Sequence, residues 1–377
     1  MNIVVNRKIL LDALRFGGAV AGKYRAIPIL DCCKVSVKGD KMIVTSTDNE
    51  ITIAKKATIV KSDVELYDFC VIPSDLIPIL STIRDEEIEL VVDANSCVLN
   101  HSRGQAVVSV LPAIDFPTPT PNENRDTFTM DAQRLKDWLE SAKNFVVVNS
   151  ELRPALNGML LCAGNGEVWG CSSDAFKLYM DGYHDLSFEG LNVNIIIPPK
   201  MFGYASSILS GHSSVVVQVD DKNVSFLVPD AKISARLIVG AYPKVRELLP
   251  KTFPIMVEVN TVDFADSVAR MKLFADKNTN SVNLSFSSDG IKMVSSDTLT
   301  KKSCVDSCDV LMYDGEQIEV CTKTTSLENI VAKIESETFL IGLTSPKSAI
   351  VFYEADNKDK VLFTMPLLKN VQAKKEV

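Results

Sequence analysis

The sequence predicts an α+β fold in three tandem copies of one repeat of about 125 residues. Three observations predict it: a polar triplet and a residue-proline pair that recur in the same phase, and helix-start signals with nearly the same spacing. Runs of β-branched residues lie between the helix signals and predict strands. A recurrence of this length indicates an internal repeat of a whole structural unit.

The first motif is a triplet of two small polar residues and an aspartate that follows a β-rich run. It occurs at Ser46-Thr47-Asp48, Ser172-Ser173-Asp174 and Ser295-Ser296-Asp297, with spacings of 126 and 123 residues. An aspartate at this place typically caps a turn, because its carboxylate accepts backbone N–H groups a few residues on. A turn cap has reason to recur in every repeat, whereas a catalytic group has none.

The second motif is a bulky residue before proline near the end of a strand pattern. It occurs at Phe116-Pro117, Tyr242-Pro243 and Met365-Pro366, where the prolines are again 126 and 123 residues apart. Two chemically unrelated motifs therefore keep one phase, which favours triplication of the whole unit.

Two helices are expected in each repeat. The second helix of each repeat has its start signal at Pro73-Ser74, Pro198-Pro199 and Lys323-Thr324, spaced by 125 and 125 residues. The first helix is preceded by a residue that can accept first-turn N–H groups, and we expect Asn6, Asp131 and Thr261 to be these N-caps. Each repeat is thus expected to run helix, strands, helix, strands.

Polar, proline-rich stretches separate the repeats. They lie at 117–125 and 250–254, so we expect domains at 1–124, 125–252 and 253–370, and a mobile tail at 371–377.

Composition limits the class of protein. The chain has 377 residues, 46% of them hydrophobic, with 40 basic and 48 acidic residues and a net charge of −8. These values indicate a globular protein, and no apolar run reaches the roughly 20 residues of a membrane span. The amino terminus lacks the pattern of a secretory signal. We therefore expect a cytoplasmic protein.

Cofactor chemistry has no support in the sequence. The nine cysteines form no paired CxxC units, and the three histidines are isolated, so we expect reduced thiols and no metal or other cofactor. A hydrolase is the main alternative class, on the strength of the Ser-x-Asp triplets. The chain has no GxSxG, HExxH or glycine-rich phosphate loop, and we expect no enzyme.

Several segments, in order along the whole chain, resemble the bacterial DNA polymerase III beta subunit family, the sliding clamps. The segments are Ala26-Ile27-Pro28-Ile29-Leu30, Leu111-Pro112-Ala113-Ile114-Asp115-Phe116-Pro117, Leu156-Asn157-Gly158-Met159-Leu160, Tyr242 to Pro250 and Met365-Pro366-Leu367-Leu368. The resemblance implies three tandem copies of a two-helix, two-sheet DNA-clamp domain. It further implies a head-to-tail homodimer that forms a six-domain ring.

The same resemblance implies a DNA polymerase processivity factor that encircles duplex DNA without reading its sequence. Its expected partners are the replicative DNA polymerase, the clamp loader and repair polymerases, each bound through a short linear peptide in a pocket between domains 2 and 3. No membrane partner is expected. The alternative is a divergent clamp-fold adaptor that makes protein contacts without encircling DNA.

Three sets of residues carry the roles that the resemblance implies. The DNA-binding set is Lys23, Tyr24, Arg25, Ser150, Arg153 and Lys200. The peptide-pocket set is Leu156, Ser173, Ala175, Phe176, Lys177, Leu178, Pro243, Glu247, Leu248, Lys347, Ala349, Phe363, Met365, Pro366, Leu367 and Leu368. The dimer-interface set is Gln105, Ala106 and Val108 on one side and Leu273 and Phe274 on the other.

The chain departs from the family pattern at several of these positions. Ala175-Phe176-Lys177 stands where the family has Gly-His-Arg, and Glu247 stands where a basic residue is usual. We expect a pocket of conserved shape and altered charge.

Overall fold

A computed structural model of the chain describes residues 1–21, 27–117, 126–147, 149–250 and 252–367. Its elements follow one order three times: a strand, a helix, four strands, a helix and three strands. The second copy ends with one additional short helix, and the third contains one additional short strand. The order confirms the α+β fold in three tandem repeats. The leading strand of each repeat was not predicted, although Ile3 and Val5, on alternate positions of the first, are buried.

The elements of the first repeat are β1 (Asn2–Asn6), α1 (Arg7–Gly18), β2 (Cys33–Lys38), β3 (Lys41–Thr47), β4 (Ile51–Ser62), β5 (Leu66–Val71), α2 (Pro73–Thr82), β6 (Glu87–Val92), β7 (Ser96–His101) and β8 (Gly104–Pro112). Those of the second are β9 (Asp126–Asp131), α3 (Ala132–Phe145), β10 (Met159–Gly164), β11 (Glu167–Ser173), β12 (Lys177–His184), β13 (Asn192–Ile197), α4 (Pro199–Leu209), β14 (Ser214–Val219), β15 (Asn223–Leu227) and β16 (Ala231–Arg236), followed by a short helix, α5 (Val245–Leu248).

The third repeat consists of β17 (Ile255–Asn260), α6 (Thr261–Phe274), β18 (Ser281–Ser287), β19 (Gly290–Asp297), β20 (Lys302–Cys308), β21 (Met312–Asp314), β22 (Ile318–Lys323), α7 (Thr324–Val331), β23 (Thr338–Leu343), β24 (Ile350–Glu354) and β25 (Asn357–Thr364). Here β21 is the additional strand. No helix in the described part of the chain has the length and apolar content to cross a membrane.

The first helix of each repeat begins after a side chain that caps it. Asn6 Oδ1 accepts the N–H groups of Lys8 and Ile9, and Asp131 Oδ1 accepts that of Arg134 at 2.7 Å. In the third repeat the cap is Asn260, so the prediction of Thr261 is wrong by one residue. Thr261 is already the first helical residue, and its hydroxyl donates to the Ser336 carbonyl instead.

The chain divides into two compact units. One consists of Met1–Asp137 and Lys200–Leu237 and holds one sheet of twelve strands, in the order β1-β6-β7-β8-β5-β2-β3-β4-β16-β15-β14-β9. Because β1 also pairs with β4, the eight strands of the first repeat form a closed cycle of pairings. Leucines at helical spacing on α1 and α2, such as Leu10, Leu14, Leu76 and Leu80, are buried in its core.

The other unit consists of Trp138–Pro199 and the described residues from Ile238 onward. It holds a nine-stranded sheet, β13-β10-β11-β12-β25-β24-β23-β17-β21, and a four-stranded sheet, β20-β19-β18-β22. Large aromatic side chains fill its interior: Phe264 meets Phe339 edge to face at 5.4 Å, and Trp138 is fully buried. Burial of this apolar surface is the main term that stabilises the unit.

Candidate functional site

The recurring aspartates cap turns, as predicted. Asp48, Asp174 and Asp297 each accept, through Oδ1, the backbone N–H groups of the residues two and three positions ahead, at 2.8 to 3.2 Å. Each turn ends the strand that carries the triplet, namely β3, β11 and β19. The carboxylates are therefore occupied by backbone, which accounts for the triplets without catalysis.

Strand pairing joins consecutive repeats in the same way twice. In the first unit, β4 of the first repeat pairs antiparallel with β16 of the second, from Ile51 opposite Ala235 to Lys55 opposite Ala231. We call this pairing and its neighbouring turn the first joint. In the second unit, β12 of the second repeat pairs antiparallel with β25 of the third, with Lys177 opposite Thr364. We call this the second joint.

The first joint contains a cluster of three charged residues. Lys200, near the start of α4, lies with Nζ 2.6 Å from Asp48 Oδ2 and 2.6 Å from Glu50 Oε2. Burial raises the pKa of Asp48, but the hydrogen bonds from Lys200 and from two backbone N–H groups outweigh it and hold the pKa below its usual value. Lys200 was predicted to bind DNA, and here it is engaged by two carboxylates.

The second joint carries the predicted peptide-pocket residues. Phe176 follows Asp174 in the turn, and its carbonyl accepts the Met365 N–H at 2.7 Å. Leu178 lies opposite Phe363 in the β12–β25 pairing, and both are buried in one cluster that Ala349 and Met365 contact from its edge. Strand register thus brings together residues that are far apart in sequence.

Exposure divides the predicted pocket residues into three groups. Leu156, Ser173, Leu178 and Phe363 are buried, and we call these four residues the floor of the predicted pocket. Lys177, Ala349, Met365, Pro366 and Leu367 are half-buried. The remaining six are exposed, and we call them the rim: Ala175, Phe176, Pro243, Glu247, Leu248 and Lys347. Two of the exposed side chains are large and apolar, Phe176 at 59% and Leu248 at 66%. Leu368 lies outside the described residues.

An anchor that the sequence analysis missed holds the α5 segment. The Arg246 guanidinium lies over the Trp169 ring, 4.3 Å from its centroid, and makes two hydrogen bonds to Glu167, at 2.6 and 3.2 Å. A guanidinium stacked on an aromatic face and paired in this bidentate way is held firmly. The neighbouring exposed pair, Lys244 with Glu247 at 3.2 Å, has less geometric restraint.

Lys323 is a second residue that the sequence analysis did not assign to the pocket. Its Nζ lies 5.4 Å from the centroid of the Phe176 ring, within the range of a cation–π contact. Leu367 N–H donates to the Cys321 carbonyl at 2.7 Å, so the end of β22 and the chain after β25 run side by side here.

Ala175 has an unusual backbone conformation, with φ of +73°. This left-handed region disfavours residues with a Cβ, and Asn49 at the corresponding turn of the first joint has φ of +70°. Asparagine tolerates the region better than alanine does, so the second turn carries more backbone strain than the first.

The predicted DNA-binding residues fall into three places. Ser150 and Arg153 share one loop, where Ser150 Oγ accepts the Arg153 N–H at 3.1 Å and Asn157 Oδ1 accepts the Ser150 N–H at 2.8 Å. Lys200 lies in the first joint, as described above. Lys23, Tyr24 and Arg25 lie outside the described residues.

The predicted dimer residues border two free strand edges. Gln105, Ala106 and Val108 lie on β8, whose Gly104–Ser109 portion pairs only with β7 in the described part of the chain. Leu273, at the end of α6, is 76% exposed, and Phe274 beside it is half-buried.

The second free edge is β20, which the sequence analysis missed. This strand contacts α6 and pairs only with β19 among the described residues. Val107 on β8 and Val305 on β20 are 61% and 63% exposed. Free strand edges with exposed valines offer unpaired N–H and C=O groups to another chain.

Metal chemistry has no candidate centre among the residues that the structure describes, since they include no group of three or more His, Cys, Asp or Glu side chains arranged for a metal. None of the nine cysteines, all of which the structure describes, forms a disulfide. Burial raises the pKa of Cys32 and Cys308 to about 11 and that of Cys33, Cys70, Cys97 and Cys162 to about 12. These six thiols are therefore protonated and unreactive at neutral pH.

Three family models together match nearly the whole chain. They describe the N-terminal, central and C-terminal domains of the DNA polymerase III beta subunit and match residues 1–120, 129–244 and 246–368. Among curated relatives, the beta sliding clamps of Pseudomonas aeruginosa and Haemophilus influenzae are each 22% identical, and each alignment covers 97% of this chain and 100% of the relative.

Solved structures share the fold. The DNA polymerase III subunit beta of Pseudomonas aeruginosa superposes with a TM-score of 0.90 at 20% identity, over 98% of this chain and 100% of that one. The sliding clamp of Bacillus subtilis gives a TM-score of 0.90 at 19% identity, over 98% of this chain and 99% of that one. A Pseudomonas aeruginosa clamp bound to griselimycin gives a TM-score of 0.91 at 20% identity, over 98% and 99%.

Proposed function

The chain belongs to the DNA polymerase III beta subunit family, and from this we propose that it acts as a sliding clamp, a processivity factor that keeps a DNA polymerase on its template. The observation that carries the proposal is the match of all three domain models, in order, over a chain whose elements repeat three times. In this role the chain keeps the polymerase on DNA and performs no catalysis. Its place of action is the cytoplasm.

Two copies of the chain form a closed ring in this proposal. The free edges β8 and β20 differ from each other, so β8 of one copy pairs with β20 of the other, head to tail. Leu273 and Phe274, beside β20, then cover the exposed Val107 and its neighbours Gln105, Ala106 and Val108. Three repeats in each copy make six domains in the ring. A ring closes when a heterologous contact of this kind returns to its starting point.

Duplex DNA passes through the ring and is held by enclosure, with little need for tight phosphate contact. The net charge of −8 supports this reading, because a strongly acidic protein does not bind phosphates tightly over its whole surface. Two basic residues of α6 are also paired internally, Arg270 with Asp306 and Lys272 with Glu328. Ser150, Arg153, Lys23 and Arg25 then supply weak, sequence-independent contacts.

The second joint is the docking site for partner proteins. We assign to it short linear peptides of the replicative DNA polymerase, the clamp loader and repair polymerases. The exposed apolar rim at Phe176 and Leu248, above the buried floor at Leu178 and Phe363, supports this assignment, since apolar anchors in a desolvated pocket dominate peptide affinity. The domain limits 1–124, 125–252 and 253–370 remain predictions.

A retention experiment tests the function. The protein is loaded onto nicked circular DNA by its cognate clamp loader, and its dissociation is followed before and after the circle is cut once. Enclosure predicts that the lifetime falls at least tenfold on cutting and varies little with salt on the intact circle. Equal lifetimes on circular and linear DNA would favour the adaptor alternative.

Ring closure has its own test in light scattering. Val305→Asp on β20 should convert a dimer to a monomer at micromolar concentration, because the new carboxylate would be buried without a partner. Val60→Asp is the matched control, since Val60 on β4 is 54% exposed and its part of the strand pairs with β1. A dimer that survives Val305→Asp contradicts the proposed interface.

A further inference from the structure

Each joint contains a lysine near the start of a helix, and the two lysines have different partners. In the first joint, Lys200 lies near the start of α4, and the turn after β3 supplies it with two carboxylates, Asp48 and Glu50. In the second joint, Lys323 lies one residue before α7, and the turn after β11 places Phe176 beside it. Both lysines lie close to the start of the second helix of a repeat, Lys200 as the second residue of α4 and Lys323 as the residue before α7, and both face the capped turn of the preceding repeat.

The turns themselves correspond residue by residue. Asp48 and Asp174 both accept two N–H groups, from the residues two and three positions on, and Asn49 and Ala175 both have positive φ. Glu50 and Phe176 therefore occupy the same position of the same turn. The carboxylate that binds lysine in the first joint is replaced by an exposed benzyl ring in the second.

Lys323 therefore contacts the Phe176 ring and, among the described residues, has no carboxylate partner. Among the described residues, no carboxylate lies within 4.0 Å of its Nζ, and Asp174 pairs instead with Lys177 at 3.5 Å. A cation–π contact at an exposed site is worth only about 0.5–1 kcal/mol, less than a charge-assisted hydrogen bond to a carboxylate. The ammonium of Lys323 therefore retains the capacity to bind an acid.

Phe176 is fixed in a way that suits a docking surface. Its N–H donates to Asp174 at 2.9 Å, and its carbonyl accepts from Met365 at 2.7 Å, so its backbone is held from both sides while its ring is 59% exposed. A rigid exposed aromatic loses little entropy when a partner covers it. The adjoining Met365, Pro366 and Leu367 continue the apolar surface.

We propose that the second joint selects an acidic peptide: the docked segment places an apolar side chain against the Phe176 ring and a neighbouring Asp or Glu carboxylate on Lys323. The peptide carboxylate then gives Lys323 the kind of partner that Glu50 gives Lys200 in the first joint. The charge of Lys323 and the carboxylate partners of the similarly placed Lys200 identify the occupant. The inference rests on the proposed function, because it concerns the same docking site.

Two matched peptides test the proposal with the full-length protein. Each is a fluorescein-labelled decapeptide with a Leu-Phe anchor, flanked on both sides by Glu in one and by Gln in the other. Fluorescence anisotropy at low salt gives the two dissociation constants. We expect the Glu peptide to bind about fivefold more tightly, as one partly exposed ion pair allows, and the preference to vanish at high salt.

Two variants assign the preference to Lys323. Lys323→Gln should abolish the preference, because it weakens the Glu peptide about fivefold more than the Gln peptide. Phe176→Glu should also abolish the preference. The introduced carboxylate would stand where Glu50 stands in the first joint and would pair with Lys323, so that the lysine no longer binds the peptide. Lys222→Gln, at an exposed turn of the other compact unit, is the charge-matched control and should keep the preference.

The outcomes separate the two levels of inference. If neither peptide binds the unmodified protein, the docking site itself is wrong and this inference falls with it. If both peptides bind equally, the docking site stands and the acidic selection is wrong. If the preference survives either Lys323→Gln or Phe176→Glu, the peptide carboxylate binds elsewhere and its assignment to Lys323 is wrong.

Discussion

Lys200 of the second repeat holds Asp48 of the first, with Nζ 2.6 Å from the Oδ2 of a side chain that is only 2% exposed. The bond crosses from one repeat to the next and reinforces the β4–β16 pairing. It also takes a lysine that the family resemblance assigns to DNA and gives it a structural role. The same geometry predicts how stability depends on pH.

Asp48→Asn should lower the free energy of unfolding by about 2 kcal/mol at pH 7, because the amide keeps the turn but loses the ion pair. The pKa of Asp48 is lowered in the folded state, so its stabilisation is complete above the unfolded pKa of about 3.9 and disappears as pH falls through the folded value. Urea unfolding at pH 7 and pH 3 measures the difference.

Asp220→Asn is the control for that experiment. Asp220 accepts two backbone N–H groups at 2.8 Å in an exposed turn, and no ion pair to it occurs among the described residues. Equal losses for Asp48→Asn and Asp220→Asn at pH 7 would contradict a special contribution from Lys200.

Lys360→Met should be one of the most damaging single substitutions. Lys360 is 3% exposed, and its Nζ lies 3.2 Å from Glu354, which is 6% exposed. Removing the lysine leaves a buried carboxylate without a cation, which costs about 3–5 kcal/mol. Thermal unfolding compares it with Lys358→Met, an exposed lysine of the same strand, and adding Glu354→Gln should recover part of the loss. A Lys360→Met protein as stable as the control contradicts the expectation.

Ala175→Gly should stabilise the chain by about 0.5 kcal/mol. Relief of the left-handed strain at φ of +73° gives about 1–2 kcal/mol, and the greater freedom of glycine in the unfolded chain returns part of it. Asn49→Gly should give less, because asparagine already tolerates its φ of +70°. Differential scanning calorimetry of both variants measures the two gains in stability. A larger gain for Asn49→Gly than for Ala175→Gly would contradict the expectation.

Thiol labelling tests both burial and the proposed dimer. Cys304 on β20 and Cys321 on β22 are half-buried and should react first with a disulfide reagent at pH 8. The seven thiols whose pKa is raised by burial, Cys171 among them, should react only on unfolding. Because β20 is a proposed dimer edge, labelling of Cys304 should slow as protein concentration rises, and that of Cys321 should not. Mass spectrometry of the labelled peptides measures the labelling rates of both cysteines. A rate at Cys304 that does not depend on protein concentration would contradict pairing at β20.

Features that depend on local chemistry were predictable from the sequence. The turns capped by Asp48, Asp174 and Asp297 and the helix starts at Pro73 and Thr324 follow from side chains that bond the backbone within a few residues. Their repetition strengthened the prediction of three repeats, because two unrelated motifs do not recur at the same spacing by chance. The leading strands were missed because five or six alternating residues next to a helix give a weak signal.

Features that depend on distant partners were not predictable. Glu50 and Lys200 are 150 residues apart, and only the β4–β16 pairing brings them together. The same is true of Phe176 with Lys323, and of Leu178, whose burial follows from its register with Phe363. The resemblance supplied the residues of the proposed pocket, but which of them are buried and which are exposed depends on the strand register.

The free edges β8 and β20 have a consequence for assembly beyond the proposed ring. Two unlike surfaces that bind each other set no limit on the number of copies, and only the angle at which successive copies meet decides whether growth stops at two or continues as a filament. The ladders β4–β16 and β12–β25 join consecutive repeats within the chain and include neither of these edges. In the proposed assembly, a substitution in either ladder that changes this angle should produce polymers while both edges keep their sequence.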